Sequence, residues 1–359
     1  MGSSSPQIRL SSSGSYPRVS DTAESQLLER TIISFDRGER TSADLLDAQN
    51  TVTRHAIAEQ VKAGLEIITD GQIRWNDPIS HLAGKLEHVT LRETLPYFQT
   101  QTHFRQPVLS DKTVRRSAVI VEEYSFARNA LGHLPTPAGK AGRLAIKPVL
   151  TGPYTMAKLS ASENRGHHGS EADRDSLERR AHQFAEILAK EIEALKQFGA
   201  HLIQIDEPAI LDHPQDWPLF ADCIATLVGA RDTSKESRQL ELALYTFFGD
   251  AAPLYEKLLS LPVDILGFDF TSSVSLLDKA ASQGSPKALA LGFLDGCNSN
   301  MENAQEVARA VDRMLPKIKS DQIFLGPSCG LGFLPASIAF SKLALLSAVL
   351  AELTGAYEA

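Results

Sequence analysis

Apolar runs that break off at a carboxylate, a glycine or a cysteine recur along this chain. His201-Leu202-Ile203-Gln204-Ile205 runs into Asp206-Glu207-Pro208, and Leu65-Glu66-Ile67-Ile68-Thr69 runs into Asp70-Gly71-Gln72. Ile323-Phe324-Leu325 runs into Gly326-Pro327-Ser328-Cys329-Gly330. Short apolar runs bounded this way predict buried strands, and eight are expected, near 7–12, 65–69, 145–150, 201–206, 241–247, 264–270, 288–294 and 322–326. Helical patterns lie between most of them. The clearest is Leu177, Ala181, Phe184, Leu188, Ile192 and Leu195, a spacing of three and four that makes one apolar face, with Ser170 as N-cap and Gly199 as stop. Others are expected near 43–63, 301–317 and 336–353. Alternating strands and helices with polar residues at the strand ends predict an α/β protein, a single (β/α)8 TIM barrel over 1–359. The stretch 85–140 departs from this rhythm. Val89 and Leu91, then Val119 and Val121, alternate with period two and predict an inserted β-hairpin, while 164–169 (Asn-Arg-Gly-His-His-Gly) predicts an exposed loop.

Composition narrows the function. At 43% hydrophobic and 22% charged, the chain has the makeup of a globular protein with a full core. A net charge of -8 without basic runs argues against nucleic acid or a membrane surface as partner and leaves a small molecule. No apolar stretch is expected to span a membrane, and the Ser-rich start lacks the apolar core of a signal peptide. Cys223, Cys297 and Cys329 do not make a disulfide framework, which points to a reducing, cytoplasmic setting. The oligomeric state is left open.

Chemistry concentrates at the strand ends. Asp206 and Glu207 cannot both face a core, and Pro208 stops their strand. Both are candidate catalytic residues, Asp206 as a base or a partner for a substrate ammonium; the competing reading is an acid pair satisfying the N–H groups of a helix start. Ser13-Gly14-Ser15-Tyr16-Pro17-Arg18 offers hydroxyls, amides and Arg18 to a carboxylate, or is an ordinary turn. Asp70 and Gln72 flank Gly71 and are candidate ligand contacts, and Asp77 is a candidate partner for Arg74. Cys297 and Cys329 follow the seventh and eighth expected strands and are candidate nucleophiles, against the reading as small buried hydrophobes. Cys223 falls within a helical pattern and reads as core. His103 and Tyr245 are further candidate substrate contacts, and His167 and His168 read as solvated. Ser15, Asp70, Gln72, Asp206, Asp269, Cys297 and Cys329 are all expected at the carboxyl-terminal mouth of the barrel.

These motifs, in this order, resemble the cobalamin-independent methionine synthase family. The resemblance rests on Gly14-Ser15-Tyr16-Pro17-Arg18, Thr69-Asp70-Gly71-Gln72, Thr151-Gly152-Pro153, Ile203-Gln204-Ile205-Asp206-Glu207-Pro208 and Ser328-Cys329-Gly330-Leu331. It implies methyl transfer from a methyltetrahydropteroylglutamate to the thiol of homocysteine, with Ser15, Gln72 and Asp206 binding that amino acid. Gln72 stands where the family usually has Glu. The family's zinc is held by a His and a Cys after the fifth strand, a Glu after the sixth and a Cys after the eighth. Here Tyr245-Thr246-Phe247-Phe248-Gly249-Asp250 has neither His nor Cys, Asp269 lies near the Glu position, and Cys329 alone matches. Zinc is therefore the implied cofactor but is not expected to bind tightly; a rebuilt site would have to come from Cys297, Asp269 and Cys329. The alternatives are metal-free chemistry on a small thiol or amino acid, with Cys297 or Cys329 as nucleophile, and a non-catalytic ligand-binding barrel.

Overall fold

The computed structural model describes residues 6–19, 22–163, 171–232 and 240–355. Ser170 and the loop 164–169, with His167 and His168, lie outside the described residues. The strands are β1 (Gln7–Leu10), β2 (Ile67–Ile68), β3 (Glu87–Pro96), β4 (His103–Val114), β5 (Ala145–Ile146), β6 (Val149–Thr151), β7 (Ala161–Ser162), β8 (Leu202–Asp206), β9 (Glu241–Thr246), β10 (Ile265–Asp269), β11 (Ala288–Leu294) and β12 (Gln322–Pro327). Each of the eight expected strands has a counterpart. The third is split into β5 and β6 at Lys147-Pro148, where proline has no N–H to give a ladder.

The chain divides into two compact units. The first comprises the described residues within Met1–Arg74, Ser125–Lys147 and Phe268–Ala359. In it β1 pairs in parallel with β12, Gln7 opposite Gln322 through Leu10 opposite Leu325. β12 pairs in parallel with β11, and Phe270, just past β10, donates its N–H to Gly292 O at 3.0 Å. On the other side of β1, Ser11 bridges Ile67 in parallel and β2 pairs with β5. The helix Ser42–Lys62 starts in a capping box, Thr41 with Asp44, and buries Ala48, Val52, Ala56 and Ile57. A helix at Ala23–Asp36 has no counterpart in the sequence reading, because its buried positions include Ser25 and Thr31 and its apolar stripe is thin.

The last helix, Ala336–Gly355, corrects the expectation that no stretch reaches spanning length. Its 20 residues, with a mean hydropathy of 1.6 over an 18-residue window, are long and apolar enough to cross a membrane. Its apolar residues nevertheless form a core face, with Ala339, Leu343, Leu346, Val349 and Leu353 buried at helical spacing.

The second unit comprises the described residues within Trp75–Tyr124 and Pro148–Gly267. Here β6, β8 and β9 pair in parallel, with Thr151 opposite Asp206 and Asp206 opposite Tyr245. Asp264 donates its N–H to Leu242 O at 3.0 Å as the chain enters β10. The helix Glu171–Gln197 buries Ala181, Phe184, Leu188, Ile192 and Leu195 of the predicted face and leaves Leu177, near its start, half-buried. The hairpin in 85–140 consists of antiparallel β3 and β4, with β7 added in parallel to β4. Of Val119 and Val121, expected in that hairpin, Val119 instead lies in a bend and Val121 opens the helix Val121–Gly132. The fully buried carboxylate of Glu191 explains the difference. It accepts the N–H groups of Val119 and Ile120 at 2.8–2.9 Å and a bond from Arg115 Nε at 2.7 Å, so those amides have no ladder to join.

Candidate active site

In the first unit, the loops after β1, β2, β11 and β12 are tied to one another. Thr69 Oγ1 donates to Gly14 O at 2.6 Å, and Tyr16 N–H donates to Gly71 O at 2.9 Å. Leu331 N–H donates to Ser15 O at 2.7 Å, and Gly332 N–H to Ser15 Oγ at 3.2 Å. Gly330 is required there, since a Cβ on it would run into the Ser15 hydroxyl. Gln72 takes a left-handed backbone (φ 51), following Gly71 at φ 71. The turn is held by Asp70, whose Oδ1 accepts the Gln72 N–H at 2.9 Å. A bulky residue with positive φ is uncommon and marks a constrained position. Arg18 is half-buried, and loss of water lowers its pKa.

The same unit brings Cys297 and Cys329 together, Sγ to Sγ, at 3.9 Å. Cys297 is exposed and Cys329 is buried. Their contact lowers the Cys297 pKa and raises that of Cys329, which burial and the charge of Asp269 raise further. Asp269 is itself buried at the end of β10, and its carboxylate is turned onto its own loop. Oδ1 accepts from Thr271 N and Oγ1 at 2.8 and 2.6 Å and from Ser272 N at 3.2 Å; Oδ2 accepts from Ser272 Oγ at 2.6 Å.

This donor set does not fit a catalytic zinc. Two thiols 3.9 Å apart fit two zinc–sulfur bonds of about 2.3 Å, but a catalytic zinc takes three protein ligands. Asp269, the nearest carboxylate in the sequence reading, has both oxygens engaged within its own turn. Among the described residues no group of three or more His, Cys, Asp and Glu is placed to hold a metal ion.

In the second unit, the adjacent acids at the end of β8 part company. Glu207 is fully buried. Its Oε1 accepts the Tyr154 N–H at 2.9 Å, and its Oε2 accepts the Thr155 N–H and hydroxyl at 2.8 and 2.6 Å. Those donors open the helix Pro153–Leu159, so Glu207 serves a helix start, as the competing reading of the acid pair had it. The same contact accounts for the Thr151-Gly152-Pro153 motif, because a Cβ on Gly152 would collide with the Glu207 carboxylate. Burial outweighs these donors and pushes the Glu207 pKa up to about 7.

Asp206 is half-exposed, and its Oδ1 accepts from Gln204 Nε2 at 2.7 Å. Tyr245 is buried on Gly267, whose lack of a side chain makes room for the ring, and its carbonyl accepts the Glu207 N–H at 2.9 Å. His103 is exposed at the start of β4, its Nδ1 3.2 Å from Gln101 O in its own hairpin. Asp77 accepts from the N–H groups of Ile79 and Ser80 at 2.9 and 2.6 Å, and Arg74 donates to Asn50 Oδ1 at 2.7 Å. Cys223 is buried in the helix Trp217–Asp232, as expected.

Sequence reasoning missed Gln204, Thr155 and two buried lysines. Lys147 Nζ donates to Ser12 O at 2.8 Å and Ser11 Oγ at 3.2 Å, and Lys342 pairs with Glu302 at 2.6 Å. For the lysines the signal was present: each is a lone charge inside an apolar run.

Residues 11–352 match the family model described as cobalamin-independent synthase, catalytic domain. The chain is 27% identical over 331 residues to a methionine synthase of Methanothermobacter marburgensis, covering 92% of this chain and 95% of that protein. It is 25% identical over 334 residues to one of Saccharolobus solfataricus, covering 92% and 90%. Among solved structures, a B12-independent methionine synthase from Shewanella sp. W3-18-1 in complex with selenomethionine superposes with a TM-score of 0.68 at 23% identity, over 95% of this chain and 96% of that one. A putative vitamin-B12 independent methionine synthase from Listeria monocytogenes superposes with a TM-score of 0.69 at 15% identity, over 96% and 98%. The α/β fold with parallel strands is thus shared with these structures.

Proposed function

Because the chain belongs to the cobalamin-independent methionine synthase family, whose members are methyltransferases, we propose that it transfers a methyl group to the sulfur of a small amino-acid thiol such as homocysteine, without a resident zinc. The observation that carries this reading is the division of labour between Asp206 and Glu207. Glu207 is consumed by the fold, whereas Asp206 stands half-exposed at a strand end, oriented by Gln204. A carboxylate so placed suits a substrate ammonium. In the first unit, Ser15, Arg18 and Gln72 are the further candidate substrate contacts, Gln72 being neutral where the family usually has a charged residue. The relative solved with selenomethionine supports an amino acid of this size as acceptor.

Chemically, the acceptor must react as its thiolate, and a free thiol with a pKa of about 8.5 is mostly protonated near neutrality. The thiolate lone pair forms the S–CH3 bond as the donor–CH3 bond breaks, and that electron pair leaves with the donor. Three free cysteines fit a reducing, cytoplasmic setting.

The test is direct. Purified protein is incubated with homocysteine and an N5-methylated reduced pterin, and methionine is followed by mass spectrometry, for the wild type and for Asp206→Asn. The expected result is turnover by the wild type, and loss of homocysteine binding in the variant with its melting temperature nearly unchanged. A variant that binds normally but melts much lower would assign Asp206 to the fold instead.

A further inference from the structure

The thiol pair of the first unit has a chemistry of its own. Cys297 and Cys329 sit in the loops after β11 and β12, neighbouring parallel strands in which Leu294 lies opposite Pro327. Their backbones are fastened on both sides of the pair. Ser328 donates its N–H to Leu294 O at 2.7 Å, and Gly296 donates its N–H to Ser328 Oγ at 3.3 Å. Cys297 N–H donates to Asp295 Oδ1 at 2.8 Å, and Asp295 N–H donates to Glu302 Oε1 at 2.8 Å. Glu302 is in turn held by the buried Lys342 at 2.6 Å. Gly296 permits the close approach: a Cβ there would lie 2.6 Å from Cys329 Sγ.

The sulfurs are 3.9 Å apart, against about 2.05 Å in a disulfide. The remaining gap is of the size that rotating one or both thiols about χ1 covers. Exposure is asymmetric in the sense that two-step exchange needs, with one thiol open to solvent and its partner buried against it.

From this geometry we infer that Cys297 and Cys329 form a reversible intramolecular disulfide by exchange with a low-molecular-weight disulfide. In the first step the Cys297 thiolate attacks one sulfur of RS–SR. A Cys297–S–S–R bond forms, the RS–SR bond breaks, and the departing RS⁻ takes up the proton lost from Cys297. In the second step Cys329, deprotonated, attacks the Cys297 sulfur and expels the second RS⁻, which takes up the Cys329 proton. Two protein thiols are oxidised, and one RS–SR is reduced to two RSH. Cys223 lies buried in a helix and takes no part.

The experiment treats the full chain with oxidised glutathione under native conditions, blocks remaining thiols with an alkylating agent in denaturant, and maps peptides without reduction. The expected wild-type product is one linked peptide pair carrying Cys297 and Cys329, with the mass of the chain lowered by two hydrogens, and dithiothreitol reverses it. Cys329→Ser should stop at one glutathione on residue 297. Cys297→Ser should leave Cys329 reduced, because the buried thiol has no exposed partner to start the exchange. A stable glutathione adduct on wild-type Cys297, a link through Cys223, or an unreacted wild-type pair would each overturn the inference. All readouts are masses, so the result stands apart from methyl transfer.

Discussion

At the scale of single residues, Asp206 and Glu207 share one motif and have different lives. The strand direction alternates side chains, and the helix start at Pro153 supplies three donors to whichever carboxylate reaches it. Glu207 reaches it and loses its water. Its pKa rises from near 4.5 to about 7, so between those values the folded state holds a proton that the unfolded chain has released. A raised acid pKa contributes stability that is complete below the unfolded value and lost as pH rises through the folded one. At 1.36 kcal/mol per unit this amounts to on the order of 3 kcal/mol. Denaturant unfolding followed from pH 4 to pH 8 should therefore show stability falling across this window from this group, and the fall should vanish in Glu207→Gln. A variant whose pH profile overlays the wild type would mean that Glu207 is ionised throughout. The doublet was legible in the sequence as an acid pair at a strand end; which member faced the helix start was not, because the donors belong to Tyr154 and Thr155, over fifty residues earlier.

Among the elements, the helix Ala336–Gly355 shows how one charge can be integral to an apolar segment. Its periodicity made it readable as a helix, and its buried stripe is what that periodicity encodes. Lys342 interrupts the stripe and is fully buried, its Nζ donating to Asn300 O at 2.7 Å and Glu302 Oε1 at 2.6 Å. That pairing was invisible in the sequence, since 40 residues separate the partners. Removing one member of a buried pair strands the other, and Glu302 already has Oε2 buried without a hydrogen-bond partner among the described residues. Lys342→Ala should cost about 3 kcal/mol, the lower end for such a break because Glu302 keeps some contact with water. Paired chemical denaturation curves measure it. A loss under about 1 kcal/mol would show that the lysine is dispensable and the stripe alone holds the helix. Strands such as β11 and β12 were legible for a simpler reason, a largely apolar run ended by a turn residue, whereas in β1 Gln7 and Arg9 alternate with Ile8 and Leu10. The stretch after the hairpin was not, because Glu191 takes the amides of Val119 and Ile120 from a distant helix and turns a strand-like alternation into a helix start.

For the whole molecule, the informative relation is between the family's chemistry and the donors this chain keeps. The family match over 11–352 and the shared fold were legible because five motifs occur in the right order. The resemblance also implied a thinned metal site, with Tyr245 and Phe247 standing where the family has two soft or borderline ligands, groups that hold zinc poorly or not at all near neutral pH. Whether Asp269 compensates is a matter of side-chain direction, since a carboxylate near the right place in sequence can point either way. It points into its own turn, accepting from Thr271 and Ser272 through both oxygens. Recruiting it to a metal would strip a buried carboxylate of those donors, at about 1–3 kcal/mol or more for the groups left unsatisfied. Two thiols alone leave an incomplete site, to which zinc should bind weakly and exchange readily. Protein loaded with one equivalent of zinc and passed through gel filtration should therefore retain well under half an equivalent, and methyl transfer should proceed equally with and without a chelator. Stoichiometric zinc that survives filtration and is lost in Cys329→Ser would refute this. It would require Asp269 to abandon its turn, and would restore a metal-bound thiolate as the nucleophile.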